Sequence, residues 1–100
     1  MDIPLNVENN LFPEHFTLFQ NYPNPFNPST IISFTIKEKA KTTLRVYDIF
    51  GKLVRELTND VLEPGKYDFE FNGSNLSSGI YYYRLRSGRL KETKKMVLIK

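Results

Sequence analysis

Residues 66–72 read KYDFEFN, and they carry the clearest structural signal in the chain. Tyr67, Phe69 and Phe71 alternate with the acidic residues Asp68 and Glu70. Successive side chains of a β-strand point to opposite faces, so this spacing puts three aromatic rings on one face and two carboxylates on the other. The pattern predicts a strand with one face in a core and the other in water.

The same period of two returns in other segments, which are also rich in β-branched and aromatic residues. They are TIISFTI (30–36), TTLRVYDI (42–49), IYYYRLR (80–86) and, less regularly, FTLFQ (16–20) and residues 89–100. KLVREL (52–57) fits a strand or one helical turn, and its context favours the strand. Residues 58–65, which end in Pro64-Gly65, read as a loop.

Seven short strands with turn signals between them predict an all-β domain, an antiparallel immunoglobulin-like sandwich of about seven strands. The chain has 100 residues and no cysteine, so one small domain without a disulfide is expected, and apolar side chains must fill its core. We assign 16–100 to this domain and interpret 1–15 as a linker from a parent protein or an expression vector. The predicted core consists of Phe16, Phe34, Leu44, Val46, Tyr67, Phe69, Phe71, Tyr81, Tyr83, Leu85, Met96 and Leu98.

A second conspicuous stretch, QNYPNPFNPST (20–30), contains three prolines within six positions. Proline fixes its own φ, lacks an N–H and pushes the preceding residue to extended conformations, so a helix is excluded here. The asparagines next to the prolines can hydrogen-bond to nearby backbone and stabilise turns. We predict a stiff, extended connection with Tyr22 and Phe26 as aromatic anchors against the sandwich.

Composition and motifs favour a role other than catalysis. The single histidine, His15, lies in the predicted linker, and no nucleophile motif, phosphate-binding glycine loop or metal-ligand spacing is present. We therefore predict no enzyme activity, no cofactor and no metal. The sequence contains neither a transmembrane segment nor a visible signal peptide.

The charge is unevenly distributed. Residues 84–100 carry seven lysines and arginines against Glu92 alone, within a net charge of +3. These cations alternate with other residues along predicted strands, which is typical of a solvated strand face, so we do not expect nucleic-acid binding.

Two apolar runs allow more than one interpretation. In Tyr81–Tyr82–Tyr83, the outer two residues suit the core, while Tyr82 would join a sugar-binding platform only beside other exposed rings, and the sequence shows no such partner. The run MVLI (96–99) suits a covered strand, but it also suits an exposed edge strand that docks to a partner by strand addition. The residues alone do not decide whether MVLI is a covered strand or an exposed docking strand.

Five segments, taken together, carry a resemblance. They are NYPNPFNPSTII, VYDIFGKLVREL, LEPGKY, NLSSGIYYYRL and KKMVLIK, in order over about residues 12–100. The chain resembles the C-terminal sorting domain of cargo proteins of the type IX (Por) secretion system of Bacteroidetes, and it is also similar to the Ig-like domain of a flagellar hook-capping protein. Lys52 stands where arginine is usual in the sorting domain, and Phe50 where an aliphatic residue is common.

The resemblance implies a non-catalytic transport domain at the C-terminus of a larger exported protein, so the partner on the N-terminal side is a parent cargo domain. It implies recognition by the outer-membrane translocation machinery and removal by a cell-surface sortase, in or near residues 1–15. Cargo would pass through the periplasm and outer membrane and end up secreted or attached to surface lipopolysaccharide.

The resemblance assigns four motifs by position. They are the proline block (Asn21, Tyr22, Pro23, Asn24, Pro25, Phe26, Asn27, Pro28), the turn (Asp48, Gly51, Lys52), the Gly-aromatic strand (Gly79, Tyr81, Tyr83, Leu85) and the terminal signal (Lys94, Lys95, Met96, Val97, Leu98, Ile99, Lys100). An exposed apolar edge strand at the end of the domain is accessible to the translocation machinery. The resemblance therefore favours docking of that machinery through Val97 and Ile99.

Two alternatives remain at this stage. The domain could be an accessory carbohydrate-binding module or a structural Ig-like module of a larger extracellular enzyme. A weak homodimer formed by edge pairing is also compatible with the sequence.

Overall fold

The computed structural model describes residues 15–100, and within them the chain forms seven β-strands and no helix. The strands are β1 (Thr17–Leu18), β2 (Ser29–Ile36), β3 (Ala40–Tyr47), β4 (Leu53–Leu62), β5 (Gly65–Asn72), β6 (Gly79–Ser87) and β7 (Leu90–Leu98). Over these residues, no helix has the length and apolarity needed to cross a membrane. The predicted linker lies outside the described residues except for His15.

The strands form two antiparallel sheets, as predicted for a sandwich. The first has the order β1-β2-β5 and the second the order β4-β3-β6-β7. In the constant-type immunoglobulin arrangement the fourth strand pairs with the fifth in the first sheet. Here β4 pairs with β3 instead, so the second sheet has four strands, and β4 and β7 are its two edges.

The core lies between the inner faces of the two sheets. Its buried residues are Leu18, Phe26, Ile32, Phe34, Ile36, Leu44, Val46, Phe71, Tyr81, Tyr83, Leu85, Met96 and Leu98. The alternation predicted for β3 and β6 is confirmed, because Leu44 and Val46 in β3 are buried, as are Tyr81, Tyr83 and Leu85 in β6, and the residues between them are not. Four of these residues were absent from the predicted core: Leu18, Phe26, Ile32 and Ile36.

The predicted loop at 58–65 is wrong, because β4 continues to Leu62 and only Glu63 and Pro64 separate it from β5. The polar run from Thr58 to Asp60 hid this strand from a search for apolar alternation. The β3–β4 ladder also has two register shifts, between Leu44 and Arg45 and between Val46 and Tyr47. Such bulges interrupt the period of two on which the prediction relied.

The first predicted strand (16–20) is also shorter than expected, since β1 contains only Thr17 and Leu18. Phe19 still donates a backbone hydrogen bond to Ser33 at 3.0 Å. Beyond it, Tyr22 rather than β1 pairs with β2, through an isolated antiparallel bridge to Ile31. The proline block therefore takes over the edge of the first sheet where β1 ends.

The aromatic face of KYDFEFN points inward as predicted, but only Phe71 is fully buried. Tyr67 and Phe69 are only partly buried, because β5 is an edge strand. One side of each ring still packs against the core, since both rings stack on Phe34, at centroid distances of 5.4 Å for Tyr67 and 5.9 Å for Phe69. Phe16, also predicted for the core, is likewise only partly buried.

This difference in burial leads to a prediction about stability. Phe71→Ala should lower the free energy of unfolding by about 3–5 kcal/mol, the cost of emptying a closed core site, and Phe69→Ala should lower it by clearly less. Urea unfolding of both variants measures the two losses, with unchanged m-values as the sign that the unfolded states are comparable. Equal losses at the two positions would contradict the burial described here.

Candidate functional site: the proline block and the terminal signal

The proline block (Asn21–Pro28) pairs directly with the terminal signal (Lys94–Lys100). The Phe26 N–H donates to the Val97 carbonyl at 2.9 Å, and the Ile99 N–H donates to the Phe26 carbonyl at 3.0 Å. These two bonds form a parallel bridge between Phe26 and Leu98. The block thus occupies the outer edge of β7, which the sequence presented as a free edge.

Two amide side chains extend this pairing along β7. Asn24 Oδ1 accepts from the Val97 N–H at 3.0 Å, and Gln20 Nε2 donates to the Lys95 carbonyl at 2.8 Å. The backbone groups at this edge are therefore satisfied inside the domain. β7 is an edge strand as predicted, but its backbone at residues 95–99 is not free, so strand addition by a partner is blocked there. Docking through the side chains of Val97 and Ile99 stays a prediction.

Phe26 holds the block in place from inside the core. Its side chain is 1% exposed and meets Phe71 edge-on, with ring centroids 6.0 Å apart. Gly73 packs closely against the side chains of Leu98 and Phe26. A Cβ at this position would stand 3.0 Å from Leu98 Cδ2 and 3.4 Å from Phe26 Cε2. The close approach of Phe26 and Leu98 therefore depends on a residue without a side chain.

Tyr22 behaves differently, and its predicted role as an anchor is wrong. Its side chain is 82% exposed, although its backbone exchanges two hydrogen bonds with Ile31, at 3.1 and 3.0 Å. Both aromatic residues looked equivalent in sequence, but only Phe26 enters the core, where it contacts Phe71, while the Tyr22 ring stays in water. The peptide bonds before Pro23, Pro25 and Pro28 are all cis.

A buried polar network fixes the start of the block. The Tyr83 hydroxyl accepts from the Asn21 N–H and donates to the Phe19 carbonyl, both at 2.8 Å. Asn21 Nδ2 donates to Thr30 Oγ1 at 3.0 Å, and Thr30 Oγ1 donates to the Pro23 carbonyl at 2.8 Å. Burial raises the pKa of the Tyr83 hydroxyl to about 12, against the lowering effect of the Asn21 bond.

The terminal signal divides into an inner and an outer set of side chains. Met96 and Leu98 are buried, which confirms their place in the core. Lys95 and Lys100 are exposed, Val97 is half-buried and Ile99 is 50% exposed. Lys100 Nζ donates to the Ser74 carbonyl at 2.7 Å, so the last residue is tied to the loop after β5.

The turn between β3 and β4 has the predicted geometry. Asp48 Oδ1 accepts from the N–H groups of Phe50 and Lys52, each at 2.9 Å, and Gly51 takes a φ of 82°. Only a residue without a Cβ adopts such a φ at no cost. Ile49 and Phe50 project from this turn and are 60% and 87% exposed.

The four motifs meet at one end of the sandwich. Gly79, the first residue of the Gly-aromatic strand, pairs with Leu98, which in turn bridges to Phe26. Asp48, Ile49 and Phe50 of the turn line the same cavity, of about 270 Å³, as Gly79. Tyr81, Tyr83 and Leu85 run from this end into the core, so all four motifs assigned from sequence belong to one region.

Comparison with known proteins shows the family of this chain. A family model described as the secretion system C-terminal sorting domain matches residues 20–100. The chain belongs to this family. The sorting domain is also similar to PorZ of Porphyromonas gingivalis, an essential bacterial surface component of the type IX secretion system, with a TM-score of 0.56 and 18% sequence identity.

That likeness covers 92% of the sorting domain but only 12% of the PorZ chain, so it concerns the fold and not the whole protein. No match was found among curated proteins. Within residues 15–100 of the sorting domain, no group of three or more His, Asp or Glu side chains could hold a metal ion.

Sequence reasoning missed the residues that join the motifs. Gln20 and Asn24 bind a strand more than 70 positions later in the chain, and no local signal marked Gly73 as a close neighbour of Leu98 and Phe26. Asn24 could be seen as a turn former, but nothing in its neighbours indicated that its side chain would bind a strand edge.

The Asn24 bond gives a test of the pairing. Asn24→Ala should accelerate hydrogen exchange at the Val97 and Ile99 amides and lower the free energy of unfolding by about 1 kcal/mol, because Val97 loses its acceptor. Asn27→Ala is the matched control, since Asn27 belongs to the same block and is exposed. Similar exchange rates in the two variants would contradict the edge pairing.

Tyr83 gives a second test, through its pH dependence. Tyr83→Phe should lower the free energy of unfolding by about 1–3 kcal/mol near neutral pH, because the Asn21 N–H and the Phe19 carbonyl lose a buried partner. A folded-state pKa of about 12, raised from 10.0, favours the protonated folded state, so this contribution is complete below pH 10 and is lost towards pH 12. Chemical unfolding of both proteins at pH 8 to 12 measures the difference, and a gap that widens with pH would contradict this assignment.

Proposed function

We propose that this domain directs an exported cargo protein across the outer membrane through the type IX secretion system and that it does so without catalysis. Membership of the sorting-domain family supports export to the outer membrane or cell surface. The translocation machinery is the proposed partner, and the surface formed by the terminal signal on the proline block is the part it reads.

The pairing of Phe26 with β7 carries this proposal. Because the backbone edge of residues 95–99 is already bonded to the proline block, a partner meets side chains there and not free N–H and C=O groups. The exposed members of the terminal signal are Lys95, Ile99 and Lys100, with Val97 half-buried. They are presented on a folded edge, so the proposed signal is a shaped surface and not a flexible tail.

Removing residues 94–100 is a poor test of this idea. The truncation would also delete Met96 and Leu98 from the core and open the edge of β6, so loss of export would follow from unfolding alone. Substitution of an exposed side chain separates recognition from stability. Ile99 is suitable because its side chain is half exposed while its backbone N–H makes the pairing bond.

The test uses a fluorescent reporter with a signal peptide and this domain at its C-terminus, expressed in a type IX-competent cell. Ile99→Asp should reduce the reporter in the medium or on the cell surface at least about tenfold, because a carboxylate replaces the apolar contact of the proposed interface. Val61→Asp is the matched control, since Val61 is a 59% exposed aliphatic residue on β4. Export should be unaffected by that change.

Both purified variants must retain the melting temperature of the wild-type domain for the result to count. Normal export of Ile99→Asp would show that the machinery does not read this surface. Export of a reporter that lacks the domain altogether would instead favour a structural spacer. The mass of the exported reporter also reports whether a surface sortase has removed the domain in or near residues 1–15, which we propose as the cleavage region.

The parent cargo lies on the N-terminal side in this proposal, and it is either released or attached to surface lipopolysaccharide. A weak homodimer remains a prediction. Since the proline block caps β7, such pairing would use β4, the other edge of the second sheet, or β5, an edge of the first. Sedimentation of the isolated domain over a range of concentrations measures it directly.

A further inference from the structure

The outer face of the second sheet, which points away from the core, carries a pair of neighbouring tyrosines. Tyr47 on β3 stands directly opposite Tyr82 on β6 in the strand register. Side chains in such pairs have Cβ atoms about 4.5–5.5 Å apart. Tyr82 is 37% exposed and Tyr47 is half-buried. No partner for Tyr82 was evident in the sequence, and the strand register supplies one.

A shallow groove of about 310 Å³ runs beside these rings. The Asp48–Gly51 turn forms one wall, and Arg84 and Thr93 lie on the other side of the two tyrosines. The Arg84 guanidinium is 5.4 Å from the centre of the Tyr47 ring, and its Nε donates to Thr93 Oγ1 at 3.2 Å. Aromatic rings, hydroxyl groups and a cation therefore line one concave surface.

The rest of the outer face is basic. Six cations occupy outward positions of three adjacent strands: Lys41, Arg45, Arg84, Arg86, Lys91 and Lys95. The carboxylates at this face are already engaged. Glu56 binds Arg45 at 2.7 Å, and Asp48 Oδ1 accepts two backbone N–H groups of its own turn. The face thus attracts an anionic ligand.

We propose that this outer face binds an anionic polysaccharide, a glycan chain bearing carboxylate or phosphate groups, independently of the sorting role. Tyrosine offers an apolar ring face for the C–H groups of a sugar ring and a hydroxyl for its polar edge. Lys95, directly opposite Tyr82 on β7, and Arg84, two positions along β6, provide charge-assisted bonds to the anionic groups.

The position of the groove favours a glycan over an acidic peptide. An extended peptide gains its affinity mainly from backbone hydrogen bonds at a sheet edge. Tyr47 and Tyr82 lie on β3 and β6, the two inner strands of the sheet, whose backbone groups are paired on both sides. A ligand on this face therefore meets side chains only, and the hydroxyls of Tyr47, Tyr82 and Thr93 suit a hydroxyl-rich chain.

The experiment measures binding of the full 100-residue chain to polygalacturonic acid, a carboxylated polysaccharide, by titration calorimetry. Dextran serves as the uncharged glycan, polyglutamate as the acidic peptide and oligo(dT) as the nucleic acid. We expect polygalacturonic acid to bind most tightly and its affinity to fall as salt rises, since the contacts are partly between exposed charges.

Tyr82→Ala should weaken that binding at least about tenfold, equivalent to about 1.4 kcal/mol. Phe19→Ala is the matched control, because Phe19 is a 41% exposed aromatic residue from the region that pairs with the first sheet. Arg84→Ala tests a cation of the outer face, and Lys66→Ala is its control, because Lys66 is a cation on the first sheet. Neither control should change the affinity more than about twofold.

Three results would overturn the proposal. The first is that wild-type protein fails to bind polygalacturonic acid. The second is equal affinity of the wild type and Tyr82→Ala, both folded by their melting temperatures. The third is binding of polyglutamate or oligo(dT) as tight as that of polygalacturonic acid, because the face would then respond to charge or to stacking and not to a glycan.

Discussion

The hydrogen bonds between Phe26 and β7 are the interaction on which the rest of the structure depends. β7 is an edge strand, and an edge of unpaired N–H and C=O groups invites association with other chains. Phe26 supplies one donor and one acceptor to that edge. Pro25 and Pro28 stand close by and have no N–H, so the block satisfies the strand without presenting a regular new edge of its own.

This pairing also joins the beginning of the domain to its end. Phe26 and Val97 are 71 positions apart, so their contact forms only when the strands between them have packed. Tyr83 adds a second link, because it holds Asn21 and Phe19 from the middle of β6. A domain that lacks its last strand therefore loses core side chains, edge pairing and the support of the proline block together. Folding and presentation of the terminal signal are consequently coupled.

Local chemistry made much of this fold predictable, and contacts between distant residues account for what was not. Alternation indicated β3, β5 and β6, and Asp48 with Gly51 indicated the turn, because each signal lies within a few residues. The sequence could not distinguish Tyr22 from Phe26, since their burial depends on how the block meets β7. It also could not pair Tyr47 with Tyr82, because strand register is set by the whole sheet. The far half of β4 was missed because its polar run, Thr58 to Asp60, lacks apolar alternation, although it pairs regularly with β3.

The side chains of β7 show how one strand serves several purposes at once. Met96 and Leu98 point into the core, while Val97 and Lys95 point to the outer face, where Ile80 and Tyr82 are their cross-strand neighbours. The backbone of the same residues is bonded to the proline block. Stability therefore constrains the even positions and the backbone, which leaves the odd positions available for recognition. Lys95 adjoins both the proposed glycan groove and the proposed sorting surface, so a ligand that covers Lys95 would restrict the access of a sorting partner to the same strand.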